Sequence, residues 1–161
     1  MSQQGVLGNG SKVAFSATSP VSWTKVSQLM NIDKFIELVA NLIDNTVMGT
    51  SNVMTQMPGM IPAPSFEFTV LADFDQATAA AQETIRQYSA GSGLSQAATV
   101  LWFRIEVPVN RAQSSFRAWE FQGTVNGFSP SVPIGDKQTV KITVVYGGSL
   151  AVYNAGASQI S

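Results

Sequence analysis

A chain of 161 residues with 9 Lys and Arg against 10 Asp and Glu, and neither cysteine nor histidine, excludes several kinds of chemistry at once. Disulfides, Cys- or His-ligated zinc and nucleophiles or bases of those two types are ruled out, and a net charge of −1 with no basic run argues against a surface that clamps phosphates. Only 12% of the residues are charged while 45% are hydrophobic, against about 25% charged in an ordinary soluble domain, so part of the surface is expected to be covered by other chains.

The length suits one domain with a real core. Residues 1–10, MSQQGVLGNG, read as a flexible leader. They lack the positive region and apolar core of a signal peptide, and no uncharged apolar run in the chain is long enough to span a bilayer. Gly5 to Lys12 (GVLGNGSK) has the look of a phosphate loop with its last two residues inverted. No strand precedes it and no helix follows, so its reading is a leader with a tight Asn9-Gly10 turn.

Ser11 to Ala17 alternates, with Val13 and Phe15 on one face, and predicts a first strand. Ser19-Pro20 breaks it, and Trp23 to Ile32 is expected as a second strand. Asp33 to Asn45 fits helical spacing through Phe35, Leu38, Val39 and Leu42, but its β-branched content favours an extended segment.

Met48 to Pro64 (MGTSNVMTQMPGMIPAP) is the segment around which the rest is arranged. Gly49, Pro58, Gly59, Pro62 and Pro64 punctuate it, so neither helix nor strand is expected. No charged side chain lies between Asn45 and Phe66, and four of the six methionines are here. Long loops in compact domains are usually functional or disordered. Disorder goes with charge and few apolar residues, and this loop has the opposite bias. Pliable methionine suits a surface that moulds to a partner. The loop is read as an arm ordered against another protein chain; the plainer reading is a flap folded onto its own domain.

Ser65 to Leu71 alternates as a half-buried strand. Phe74, Ala77, Thr78, Ala81, Ile85 and Tyr88 then follow helical spacing, with Asp73 or Asp75 as N-cap and Gly91 or Gly93 as terminator. Three strands follow. Thr99 to Val107 puts Leu101, Phe103, Ile105 and Val107 on one face and Trp102, Arg104 and Glu106 on the other. Ser115 to Phe128 opposes Trp119, Phe121 and Val125 to Phe116, Ala118 and Glu120, with Gly123 marking a bulge or a close backbone approach. Gln138 to Tyr146 turns Val140, Ile142, Val144 and Tyr146 inward. Gly147-Gly148 is expected to turn the chain, Leu150 to Tyr153 to add a short edge pairing, and residues 154–161 to form a flexible tail.

The fold class is mainly β: an antiparallel sandwich or partial barrel with one flanking helix and a long extended loop, in a single domain over residues 11–153 with its assembly loop at 45–64. Because Trp102 lies on the outward face, the second face of at least one sheet is expected to be partly covered. No catalytic, cofactor or metal site emerges. Asp73 and Asp75 are read as helix caps rather than as a carboxylate pair or cation site with Glu67, Arg104 and Glu106 as a surface ion pair or a neighbouring-strand contact, and Arg117 beside Trp119 as a structural cation–π contact or a subunit contact.

The order of these features resembles the tail tube proteins of long, non-contractile-tailed bacteriophages, the lambda-like major tail protein family. The resemblance rests on SKVAFSA, the region from Trp23 to Leu29, Asp44-Asn45-Thr46, the loop with Met57-Pro58-Gly59, SFEFTVL, the lateral helix, RIEVP, and above all FQGTVNGFSPSVPIGDKQTVKITVVYGG. It implies a virion structural protein, not an enzyme and without cofactor, made in the host cytoplasm and built into the tail. Copies would form hexameric rings stacked head to tail, with tape measure, tail tip and tail terminator proteins as partners, and DNA would pass through the lumen without specific binding. The stacking loop would comprise Asp44, Thr46, Met48, Met54, Met57, Pro58, Met60 and Ile61, and Glu106 or Glu120 would face the lumen. With nothing after Ser161, no immunoglobulin-like decoration is expected. The alternatives are the tube of a secretion system or phage-tail-like bacteriocin and, from another class, a ligand- or carbohydrate-binding sandwich using Trp102, Trp119 and Tyr146.

Overall fold

The computed structural model describes residues 10–18, 20–44, 56–72, 80–89 and 100–160. Seven strands form one antiparallel sheet in the order β2-β1-β7-β8-β9-β6-β3, which does not close into a barrel. They are β1 (Lys12–Ser16), β2 (Thr24–Lys25), β3 (Leu29–Lys34), β6 (Ser65–Leu71), β7 (Val100–Pro108), β8 (Phe116–Ser131) and β9 (Thr139–Tyr153). A separate ladder pairs β4 (Leu42–Asp44) with β5 (Gln56–Pro58), and one helix, α1, spans Ala80–Tyr88.

Two long strands let the open sheet enclose a core. The first half of β8 pairs with β7 and with the last residues of β9, and the second half pairs with the start of β9. β9 in turn carries β6 along Thr139 to Val145. Three register shifts interrupt the β8–β9 ladder, and each such bulge bends the strand and adds twist. The sheet therefore curls, bringing side chains of non-adjacent strands together. Phe121 on β8 stacks on Phe103 of β7 at 5.6 Å and meets Phe66 of β6 edge-on at 6.0 Å. Val13, Phe68, Val70, Leu101, Ile105, Ile142 and Val144 complete this core. The alternation in SFEFTVL settles the orientation of β6, because its even-numbered residues are all buried.

Helix α1 packs on the core through Ile85. Its buried Gln82 donates to the Leu71 carbonyl at 3.0 Å, satisfying an amide that would be costly to bury alone. Ser89 closes the described helix, its hydroxyl donating to the Arg86 carbonyl at 2.6 Å. The proposed caps at Asp73, Asp75, Gly91 and Gly93 lie outside the described residues.

Five expectations are corrected. Trp23 to Ile32 is two strands at opposite edges of the sheet: β2 pairs with β1 and β3 with β6. Gln28, between them, has a positive φ of 60° that redirects the chain. Asp33 to Asn45 is not one strand, since β3 ends at Lys34 and Phe35 turns inward against Trp119 at 4.7 Å. Pro58 does not keep its segment from pairing, because Gln56–Pro58 is a strand of the small β4–β5 ladder. Gly147-Gly148 is a bulge, with φ of 131° at Gly148, through which β9 continues. Residues 154–160 are not a loose tail; Ile160 is buried and the Phe116 amide donates to the Gly156 carbonyl at 2.8 Å.

Gly123 does mark a close approach. A Cβ there would lie 2.8 Å from both Val144 Cγ1 and the Val145 carbonyl oxygen. The carbonyl belongs to the β8–β9 ladder and cannot yield cheaply. Gly123→Ala should therefore destabilise the fold by about 1–3 kcal/mol, the usual penalty of overpacking, read as a lowered urea midpoint with an unchanged slope.

Candidate assembly surfaces

Backbone hydrogen bonds build the first surface. β4 and β5 align Leu42 with Pro58, Ile43 with Met57 and Asp44 with Gln56. Below them the Gly59 amide donates to the Asn41 carbonyl at 2.6 Å, and the Asn41 amide to the Met60 carbonyl at 3.2 Å. The backbones approach closely at Gly59, where a Cβ would sit 3.1 Å from the Asn41 carbonyl oxygen and would push aside the exposed Ile43 side chain. The result is a two-stranded arm that pairs with no strand of the main sheet.

Among the described residues, most of its side chains are apolar and half or more exposed. Met60 is 85% exposed, Leu42 64%, Ile61 54% and Ile43 52%, with Met57, Leu38 and Val39 also exposed. Scattered exposed hydrophobics are ordinary, but a contiguous set marks a contact surface. At the foot of the arm, Leu38, Ile61 and Pro64 line a cleft of about 380 Å³ against Tyr146. Of the residues expected in this loop, Asp44, Met57, Pro58, Met60 and Ile61 thus share one arm, while Thr46, Met48 and Met54 lie outside the described residues.

The second surface is the outward face of β1, β7 and β8, and it is covered, as the outward placement of Trp102 implied. Arg104 on β7 donates through Nε to Glu106 at 2.8 Å and through an amino group to Glu120 on β8. All three are buried, Glu106 completely. The expected Arg104–Glu106 pair and a neighbouring-strand contact, to Glu120, are both present, but they form a buried triad rather than a surface pair, with Glu106 shut off from solvent and Glu120 nearly so. Tyr153 lies over the Arg104 guanidinium, and its hydroxyl donates to Glu120 at 3.4 Å. Burial acts on the Glu106 carboxyl most strongly and would raise its pKa. Hydrogen bonds from the Ser158 hydroxyl, Arg104 and the Gln159 amide outweigh it and hold the carboxyl below its ordinary range.

Sequence reasoning missed this triad because its members alternate with core residues, as any solvent-facing set would. The signal was available in the next layer: Trp102 on the same face, and Phe116 and Ala118 opposite. The remaining polar contacts are ordinary. Glu67 pairs with Lys141 at 3.1 Å near solvent, and Arg117 stacks over Trp119 at 5.3 Å as expected. Among the described residues no three His, Cys, Asp or Glu side chains converge, and no helix is long and apolar enough to cross a membrane.

No family model and no curated protein sequence matches this chain. Solved structures do. The tail of an empty gene transfer agent particle, determined with C6 symmetry, superposes with a TM-score of 0.66 at 10% identity, over 92% of this chain and 99% of that one. The tube-terminating cap of the anti-feeding prophage gives 0.70 at 12% identity, over 96% and 94%. The SPP1 tail tube gives 0.64 at 16% identity, over 96% and 82%. Nearly the whole chain therefore has the fold shared by phage tail tubes and tail-like injection systems.

Proposed function

We propose that this chain, with its tail-tube fold, is a structural subunit that assembles into six-membered rings stacked as the tube of a phage tail. The observation that carries the reading is the β4–β5 arm, a backbone-braced projection whose apolar side chains are largely exposed among the described residues. Burying them against a neighbouring copy supplies the driving force, about 25 cal/mol per Å² of apolar area. A head-to-tail contact of unlike surfaces propagates rather than closing as a dimer, and lateral pairing of the exposed sheet edges β2 and β3 would close a ring.

In this role the subunit is not an enzyme and needs no cofactor. It is made in the host cytoplasm and resides in the virion tail. The tail tip and tape measure nucleate and measure the tube, a terminator ends it, and DNA passes through a lumen that holds no specific phosphate contacts. The stacking surface comprises Asp44, Met57, Pro58, Met60 and Ile61 of the arm together with Thr46, Met48 and Met54 of the segment that joins its strands. The injection-system neighbours make the tube of a phage-tail-like particle the second reading, which shares the same assembly.

Negative-stain electron microscopy with sedimentation across concentration tests this. Rings or tubes are expected once the chain is concentrated or seeded with a tail-tip complex. A chain that stays monomeric even when seeded overturns the proposal and favours a ligand-binding sandwich.

A further inference from the structure

Residues 154–160 cross the outward face of the sheet as a strap, two of whose close polar contacts are to one buried carboxylate. The Ser158 hydroxyl donates to Glu106 Oε2 at 2.7 Å, and the Gln159 amide donates to Glu106 Oε1 at 2.9 Å. Lys12 reaches in from β1, its Nζ 3.1 Å from Ser158 Oγ and 3.3 Å from the Ile160 carbonyl. The buried Ile160 side chain and the Phe116–Gly156 backbone bond complete the attachment. The strap carries no titratable side chain of its own. Every charge beneath it comes from the sheet: Lys12 on β1, Arg104 and Glu106 on β7, and Glu120 on β8, with the Tyr153 phenol at the end of β9.

We propose that residues 154–160 are an acid-released latch, docked on ionised Glu106 and let go when that carboxylate takes up a proton. The hydroxyl of Ser158 has one proton to give, and it sits within reach of both Glu106 Oε2 and the Ile160 carbonyl at 2.9 Å. A carboxylate is the stronger acceptor, so ionised Glu106 draws the hydroxyl down onto the sheet. A protonated Glu106 gives up acceptor strength at one oxygen and its charge-assisted bonds to the strap and to Arg104 together. The sign follows from the depressed Glu106 pKa. Docking is at full strength above the ordinary carboxyl pKa of 4.5 and is lost as the pH falls through the lower value of the docked state. Release frees the Glu106 carboxyl and the Phe116 amide while leaving the core ladder β6–β9–β8 untouched. The latch stands whether or not the chain forms tubes.

Amide hydrogen exchange on the full chain tests it, reading Gln159 and Ile160 against Ile142 in the core. In Glu106→Gln at neutral pH, protection of Gln159 and Ile160 should fall by about tenfold or more while Ile142 stays protected. The wild-type chain should show the same selective loss on acidification below pH 4.5. Wild-type protection of the strap in Glu106→Gln overturns the proposal. Should that variant not fold, Ser158→Ala removes the hydroxyl's bond to Glu106 while leaving Arg104, Glu106 and Glu120 themselves in place. In that variant the readout is Gln159 alone, because the Ile160 amide bonds Ser158 Oγ itself: selective loss at Gln159 supports the latch, and unchanged protection there overturns it.

Discussion

Met60→Asp should abolish tube formation while leaving the isolated chain as stable as before. Met60 is 85% exposed, so in the free chain an aspartate there meets only water, and surface substitutions of this kind stay within about 0.5 kcal/mol. In the proposed stacked tube the same side chain would be buried against a neighbour. Burying an unpaired carboxylate costs at least about 3 kcal/mol per contact, or ~100-fold in each association constant. A ring repeats the penalty at every subunit, so the effect on assembly compounds. The measurement is paired: thermal unfolding for the free chain, and sedimentation with microscopy for assembly. Ile43→Asp, at the opposite side of the same arm, should behave alike. Tubes formed normally by both variants would remove the arm from the stacking contact.

The second large effect lies in the buried triad. Arg104→Met keeps much of the side-chain length but leaves Glu106 and Glu120 buried with no cation between them. Breaking a buried pair from one side costs about 3–5 kcal/mol, against a total stability of about 5–15 kcal/mol for a domain. At about 2–4 °C per kcal/mol for a chain of this size, Tm should drop by roughly 6–20 °C. Adding Glu120→Gln to Arg104→Met removes one stranded charge and should recover part of the loss. A Tm within about 2 °C of wild type for Arg104→Met alone would mean that the carboxylates reach water or protonate without cost. The Arg104 and Met60 variants separate cleanly: the first acts on the fold of one chain, the second on the contact between chains.

The elements legible in the sequence were those whose period is set by one buried face. SFEFTVL, SKVAFSA and the alternating stretches that became β7, β8 and β9 each place their core residues as the pattern requires, and the 3.6-residue spacing around Ile85 marks α1. Low charge and a methionine-rich uncharged loop were likewise enough to single out the arm, because a hydrophobic side chain left without a partner is visible from composition alone. What the sequence could not determine was every feature that depends on residues far apart in the chain. The split of Trp23 to Ile32 between two sheet edges follows from which strand each half finds as a partner, not from its own residues. Gly147-Gly148 carries the same local signal as a hairpin turn, and only the continued pairing of Ala151 with Glu120 makes it a bulge. Arg104, Glu106 and Glu120 read as solvent-facing by alternation. Glu106 is bonded by Ser158 and Gln159, more than 50 residues further along the chain, and Arg104 and Glu120 are met by Tyr153 at the end of β9, so the hydrogen bonds that make this affordable exist only once β7, β8, β9 and the strap are assembled. Periodicity reports one face of one strand; what covers the other face is decided by tertiary structure.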